Sequence, residues 1–419
     1  MLKKRTKLRR TVQIQSNLHI INMKQNKQKT AIVTGSNGLI GSQTVKFLID
    51  KGYYVVGVDN DMRAYFFGKD ASTKDSERSM VDEYGMNYNP LAIDIRDYES
   101  LEVVFRGLTT NEPTFFDENP EEYDLDMIVH AAAQPSHDWA AKEPLTDFSV
   151  NAIGTMNMLE LTRLYAPKAT FVFTSTNKVY GDRPNLSFET GKADSEYHSL
   201  MIHEEETRYE GRWINDSLAD IDETLSIDQT KHSIFGASKV AADVMVQEYG
   251  RYFKMNTVVF RGGCLTGPNH AGAELHGFLA YLIKCIVTNK HYNVFGYKGK
   301  QVRDNIHSWD LVNMFWHYHQ NPKPGAVYNA GGGRSNSTSI LEAIDTVNRI
   351  LKSKFPDLEN WNDYTILDEN RIGDHIWYIS DLTKFQSDYP QWPGITISLE
   401  ETIKQMVEFE LQKTTVEVA

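Results

Sequence analysis

Cysteine is nearly missing from this chain: Cys264 and Cys285 are the only two in 419 residues. Two are too few for a disulfide framework or a thiolate metal cluster, so no metal site is expected, and the usage suits a reducing cytoplasm. Positive charge is also short, with 44 Lys and Arg against 56 Asp and Glu for a net −12. That balance argues against a general role on nucleic acid or a membrane surface, where basic patches must neutralise phosphate. No run is long and apolar enough to span a bilayer. Internal repeats and low-complexity tracts are absent too.

What is present is an ordinary globular composition, 41% hydrophobic and 24% charged. Its length exceeds the roughly 250–300 residues at which single cores stop growing, so two lobes are expected. Residues 1–29 stand apart: Lys3, Lys4, Arg5, Lys7, Arg9, Arg10, Lys24, Lys27 and Lys29 occur with no acidic residue. An organelle-targeting segment, a disordered tail and a start placed ahead of a true Met23 are all compatible with this stretch.

From Lys29 onward, short β-branched runs alternate with amphipathic helices, the pattern of βαβ units around a parallel sheet covered on both faces. TAIVTG, YYVVGVDN, MIVHAAA, ATFVFTST and NTVVFRGG read as strands one, two, four, five and six, with a weaker strand three near Tyr88 to Asp94. Helices are expected at Leu39–Lys51, Thr146–Tyr165, Phe235–Lys254 and Ser339–Lys352. The fold class is α/β, a Rossmann-type doubly wound parallel sheet with a smaller mixed α/β C-terminal lobe. The expected division is an extension over 1–29, a dinucleotide-binding domain over 30–263 and a substrate lobe over 264–419, with part of 304–330 able to return to the first domain. The polar, acid-rich stretch from Asp182 to Ser233 is long enough to be functional or disordered.

Strand one runs directly into Gly35-Ser-Asn37-Gly38-Leu39-Ile40-Gly41 and a helix. Glycines there let backbone amides approach a pyrophosphate, and the helix N-terminus supplies partial positive charge. Asp59, followed by Asn60, closes strand two eighteen residues beyond Gly41. A carboxylate so placed accepts from adenosine ribose hydroxyls and repels a 2′-phosphate, which favours NAD over NADP. Asp94 and Ile95 follow strand three, where they contact adenine unless Asp94 is an ordinary helix cap. Ala131, Ala132 and Ala133 are small enough for a cofactor to lie across the sheet edge.

With HAAAQPSHDWA, FSVNAIGTMNMLE, FTSTNKVYGD, FGASK, VVFRGG, GKQVRDNIHSWDL and NAGGG in this order, the chain from about Lys29 to its C-terminus resembles the nucleotide-sugar epimerase/dehydratase family of extended short-chain dehydrogenases/reductases. STNKVYGD and GKQVRD look most like the family's sugar 2-epimerases. The resemblance implies bound NAD, a nucleotide-diphosphate sugar substrate, and epimerisation of one sugar carbon through a transient keto intermediate. It also implies a homodimer formed by the helices Thr146–Tyr165 and Phe235–Lys254, with Met156, Leu159, Val240, Val244 and Val246 among their apolar positions.

By the same resemblance Thr176 hydrogen-bonds the reacting sugar oxygen and Lys239 binds the nicotinamide ribose. Gln134, Asn177, Asn269 and His270 line the sugar pocket, Arg303 and Arg371 grip the pyrophosphate, and Asn151 is structural. Two departures matter. Asn177 and Lys178 stand where 4,6-dehydratases carry the Asp-Glu acid/base pair, which disfavours dehydration. Phe235 stands where the family's Tyr-x-x-x-Lys tyrosine is expected, and a phenyl ring cannot exchange a proton. The open candidates for that role are His232, Lys239, His137 and Asp138, though His232 is equally a plain loop residue and Asp138 a helix cap. Another NAD-dependent nucleotide-sugar conversion, such as 4-epimerisation, dehydration or sulfoquinovose-type synthesis, and a catalytically silent binding protein are the rival readings.

Overall fold

The computed structural model describes residues 27–110, 123–186, 200–270, 277–369 and 374–418, with side chains through 414. Most of the basic extension and Arg371 lie outside the described residues. The main sheet consists of β1 (Gln28–Thr34), β2 (Tyr54–Val58), β3 (Tyr88–Leu91), β4 (Tyr123–His130), β5 (Thr170–Thr176), β8 (Asn256–Gly262) and β12 (Ala326–Ala330). They are ordered β12-β8-β5-β4-β1-β2-β3, and every pairing is parallel. Side chains alternate between the faces, as pleating requires. Val33 and Val55 pack with Val45 and Leu48 of α1 (Leu39–Asp50). Ile32 and Val56 pack instead with Val104 and Phe105 of α2 (Tyr98–Thr109), in a core that also holds Leu159 of α4 (Gly154–Tyr165) and Val246 of α5 (Ser233–Phe253).

β1 begins at Gln28, inside the stretch expected as extension. Lys29 pairs with Asp124 of β4, and its ammonium meets Asp126 at 2.8 Å. The helix expected over Thr146–Tyr165 is interrupted by a π turn, Ser149–Ile153, ahead of α4. Asn151 in that turn donates to the Gln134 carbonyl and to Ser238 Oγ, bonds that secure the preceding loop from behind.

The chain beyond residue 264 serves both lobes. From β11 (Val302–His307) it enters α7 (Ser308–Gln320), which returns to α1: Trp309 and Trp316 lie 5.3 and 5.8 Å from the Phe47 ring. β12 then completes the main sheet beside β8. The second lobe packs α6 (Phe278–Val287), α8 (Ile340–Lys354) and α9 (Leu399–Val418) around Leu282, Ile283, Val347, Ile403 and Val407. A capping box between Ser339 and Glu342 starts α8. Its strands pair β10 (Tyr292–Phe295) with β14 (Tyr364–Leu367) in parallel, and β11 with β9 (Cys264–Thr266) and β15 (Trp377–Tyr378) in parallel but β13 (Ser337–Thr338) antiparallel.

Within the long polar segment, β6 (Met201–Glu204) and β7 (Tyr209–Arg212) form a hairpin. Trp377 covers Gly211 so closely that a Cβ there would stand 2.8 Å from the indole. Arg334 fastens the same segment through Glu210 and Asp220, each at 2.9 Å. The acidic composition of this stretch is therefore partly matched by a buried-edge arginine from the second lobe.

Candidate active site

Strand order reverses between β1 and β4, and a crevice opens at the C-terminal ends of such strands. Here it forms a cleft of about 460 Å³. Gly35 leaves β1 at φ +66°, and a Cβ on it would stand 2.8 Å from the Ala132 amide nitrogen. A Cβ on Gly41 would stand 2.0 Å from the Gly35 carbonyl oxygen. Side chains are excluded at both places, so the first turn of α1 can come close to an anionic ligand. Asp59 is aimed by backbone donors: Asn37 N reaches its Oδ2 at 3.1 Å and Asp61 N its Oδ1 at 2.8 Å. Burial pushes its carboxyl up, and those two N–H groups oppose the shift. Asn60 Nδ2 donates to Asp94 Oδ2 at 3.0 Å. The cap of α2 is Asp97, so Asp94 is not a helix cap and lines the cleft with Ile95 and Ala131, Ala132 and Ala133. The glycine turn and the half-buried, donor-oriented carboxylate fit NAD at the pyrophosphate and the ribose.

The other end of the cleft gathers Thr176, Asn177, Lys178, Phe235, Lys239, His137, Asp138, Asn269, His270 and Arg303. Thr176 ends β5, where its Oγ1 accepts from Lys178 N at 3.2 Å. Lys239, one helical turn past Phe235, donates to the Thr174 carbonyl at 2.8 Å and lies 4.3 Å from the Phe173 ring centre. Burial pushes its ammonium down to about 8, against the attraction of Asp243 and Asp147. Phe235 is 6% exposed and meets the His137 ring edge-on at 5.0 Å. His137 Nδ1 lies 2.8 Å from Ser233 Oγ. Asp138 does not cap its helix, α3 (His137–Lys142); Ser136 does, accepting from Trp139 N. Arg303 shares Asp374 with Lys178, at 3.9 and 3.6 Å.

Three expected residues are placed elsewhere. His232 does not line the cleft, because its Nε2 donates to the Ile227 carbonyl at 2.8 Å. Gln134 is fully buried behind the cleft, donating to Ser136 O and Asp147 Oδ1. Asn37 acts through its backbone on Asp59, while its side chain donates to Glu77 Oε2 at 2.7 Å. Conversely, Lys178, Arg63, Cys264 and Asp374 line the cleft without having been singled out as contributors. Lys178 was visible as the residue replacing a dehydratase acid, and Arg63 follows Asp59 by four residues; Cys264 and Asp374 carried no local signal. Burial pushes Lys178 down to about 8 despite Asp374.

The fold and the glycine–aspartate site define a dinucleotide-binding α/β enzyme. A family model described as the NAD dependent epimerase/dehydratase family matches residues 31–205 and 214–331. The chain belongs to this family, and its cofactor is NAD. It is 29% identical over 318 residues to the CDP-paratose 2-epimerase of Salmonella typhi, covering 74% of this chain and 81% of that protein. It is 26% identical over 392 residues to a dTDP-glucose 4,6-dehydratase of Escherichia coli, covering 91% and 93%. Among solved structures, UDP-glucuronic acid 4-epimerase of Bacillus cereus in complex with UDP-glucuronic acid and NAD superposes with TM-score 0.65 at 20% identity, covering 92% of this chain and 99% of that one. UDP-glucose 4-epimerase of Thermus thermophilus in complex with NAD does so with TM-score 0.66 at 21% identity, covering 91% and 98%.

Proposed function

We propose that the protein is a nucleotide-sugar epimerase of the CDP-paratose 2-epimerase type, working on a nucleotide-diphosphate sugar through a transient keto-sugar. The observation that carries this is the turn after Thr176. It presents an amide and a lysine, Asn177 and Lys178, to the cleft, and neither reproduces a carboxylate acid/base pair for removing water. NAD, when bound, supplies a hydride acceptor that becomes the donor for the return step. Gly35, Gly38 and Gly41 leave room for its pyrophosphate, and Asp59 takes the ribose hydroxyls. Thr176 donates to the sugar oxygen that becomes a carbonyl. Lys239 holds positive charge beneath the reacting centre, and Arg303 pairs with the substrate pyrophosphate. The B. cereus neighbour, crystallised with UDP-glucuronic acid and NAD, supports the substrate class.

Two measurements test this reading. Denaturing the purified protein should release NAD; release of NADP alone would overturn the role of Asp59. Incubation with a panel of CDP-, UDP- and dTDP-sugars in deuterated water, followed by NMR, should show inversion at one carbon without loss of water. Water loss across C5 and C6 with deuterium at C5 would make the protein a dehydratase, inversion at C4 a 4-epimerase, and an unchanged panel would favour a silent binding protein.

A further inference from the structure

A sugar hydroxyl cannot become a carbonyl unless its proton leaves, and the ring at 235 has no oxygen to take it. The titratable groups in and beside the cleft differ in their fitness for that task. His270 is held neutral and weakly basic, pushed down to about 3 by burial and by Arg63. His375 is also driven well below its ordinary range, first by burial and then by Lys178 and Arg303. Cys264 is pushed up to about 11 by burial and stays a thiol. Lys178 is engaged by Asp374 at 3.6 Å.

His137 is the cleft residue whose ring packs against Phe235, and one of its nitrogens is already oriented. Ser233 Oγ accepts from Gly236 N at 3.2 Å and lies 2.8 Å from His137 Nδ1. Ser233 achieves this at φ +62°, a left-handed conformation that a residue with a Cβ rarely adopts. Strain of this kind at a site persists where the surrounding structure imposes it. The serine thus fixes a histidine drawn from 96 residues earlier in the chain.

We propose that His137 is the proton acceptor and donor of this enzyme, with Ser233 as its positioning residue, in place of the missing tyrosine. This rests on the epimerase reading above. In the first step the sugar O–H proton passes to His137 Nε2 while the hydrogen on the same carbon leaves with its electron pair for NAD, and the C–O single bond becomes C=O. In the second, the hydride returns to the opposite face and the imidazolium gives its proton back to the oxygen, so nothing is oxidised or reduced overall. For Nε2 to accept, Nδ1 must carry the ring proton and donate it to Ser233 Oγ, the orienting logic of a base held by a third group.

The test uses the full-length NAD-loaded protein with His137→Gln, His137→Ala, Ser233→Gly and Ser233→Asn. His137→Gln should lower kcat about 100- to 10,000-fold with KM little changed, and added imidazole should restore part of the turnover of His137→Ala. Ser233→Gly relieves the backbone while deleting the hydroxyl, so it should melt no lower than wild type yet lose kcat; Ser233→Asn, which tolerates the left-handed backbone and keeps an acceptor oxygen, should recover part of it. Independently of any substrate, nitrogen-15 NMR of the imidazole rings should show His137 protonated at Nδ1, and Ser233→Gly should abolish that preference. A ring protonated at Nε2, or a tautomer insensitive to Ser233→Gly, overturns the assignment even if no sugar turns over. Normal turnover in His137→Gln with collapse in Lys178→Met overturns it in favour of Lys178, leaving the epimerase reading intact.

Discussion

Phe235 keeps the volume of a tyrosine and loses its oxygen, and Thr176 and Lys239 remain around it in the cleft. If proton transfer has moved elsewhere, Phe235→Tyr should change turnover by less than about tenfold, whereas Thr176→Ala should lower it about 100- to 1,000-fold by removing a donor to the developing oxyanion. Steady-state kinetics on the responsive sugar decides this. Activity appearing in Phe235→Tyr from an inactive parent would instead identify the natural chain as a silent binder. A second residue makes a pH-dependent prediction. Asp304 is buried on β11 beneath the site, its Oδ2 accepting from Ser380 N at 3.0 Å and Gly333 N at 3.2 Å. Burial pushes its carboxyl up from 3.8 to about 6, with those donors opposing. A raised acid binds its proton more tightly folded than unfolded, so its contribution favours folding at low pH and is lost as pH rises from about 4 to about 6. Asp304→Asn, which keeps a carbonyl acceptor and never ionises, should therefore gain melting temperature relative to wild type across that window and hold the gain above it. A difference that is flat from pH 4 to 7 would refute the buried-charge account.

At the scale of elements, a charge network pins α5 to the sheet. Arg261 of β8 meets Asp243 of α5 through Nε at 3.1 Å and Nη2 at 3.0 Å, and Ser175 of β5 donates to the same carboxylate at 2.7 Å. Deleting one partner of a buried pair strands the other, typically at about 3–5 kcal/mol. Asp243→Ala should lose stability of that order in urea unfolding, whereas Asp243→Asn should lose less; equal losses would mean packing dominates. Such networks mark the boundary of what the sequence discloses. β1, β2, β4, β5 and β8 were legible because a strand covered on both faces must be continuously apolar, and the glycine turn because its residues are adjacent. β6 and β7 read as loop, since MIHE and YEGR are polar and their partners, Trp377 and Arg334, lie far along the chain. Gln134 could not be told from a pocket residue, because its anchors Asp147 and Asn151 lie 13 and 17 residues further on, one in the helix before the π turn and one inside it. Likewise the Ser233–His137 contact joins residues 96 apart, a distance that no local spacing rule spans.

At the scale of the whole molecule, α4 and α5 lie side by side on the sheet and carry the surface that we expect to form a homodimer. The five apolar positions first assigned to it divide in the structure. Leu159 and Val246 are fully buried in the chain's own core, Met156 and Val240 pack against it, and only Val244 is well exposed, at 39%. The exposed apolar set is different: Ile153 immediately precedes α4 and Leu164 lies in its last turn, Ile234, Val244, Tyr252 and Phe253 lie along α5, and Leu145 and Phe148 stand just before the π turn. On α5, Ala237, Ala241, Val244, Glu248 and Tyr252 recur at three- and four-residue spacing, which places them on one side of the helix. Small residues at the start of that stripe allow close helix approach, and the aromatic at its end supplies contact area. A specific dimer of standard size buries about 800 Å² per partner. Val244→Glu would place two like charges near each other across a two-fold axis in such an interface, and it should convert a dimer into a monomer while leaving NAD binding in place, since Val244 is not a cleft residue. Light scattering across micromolar concentrations should give twice the 47.9 kDa chain mass for wild type and the chain mass for the variant. A monomeric wild type, or a variant that stays dimeric, would move the interface off these helices.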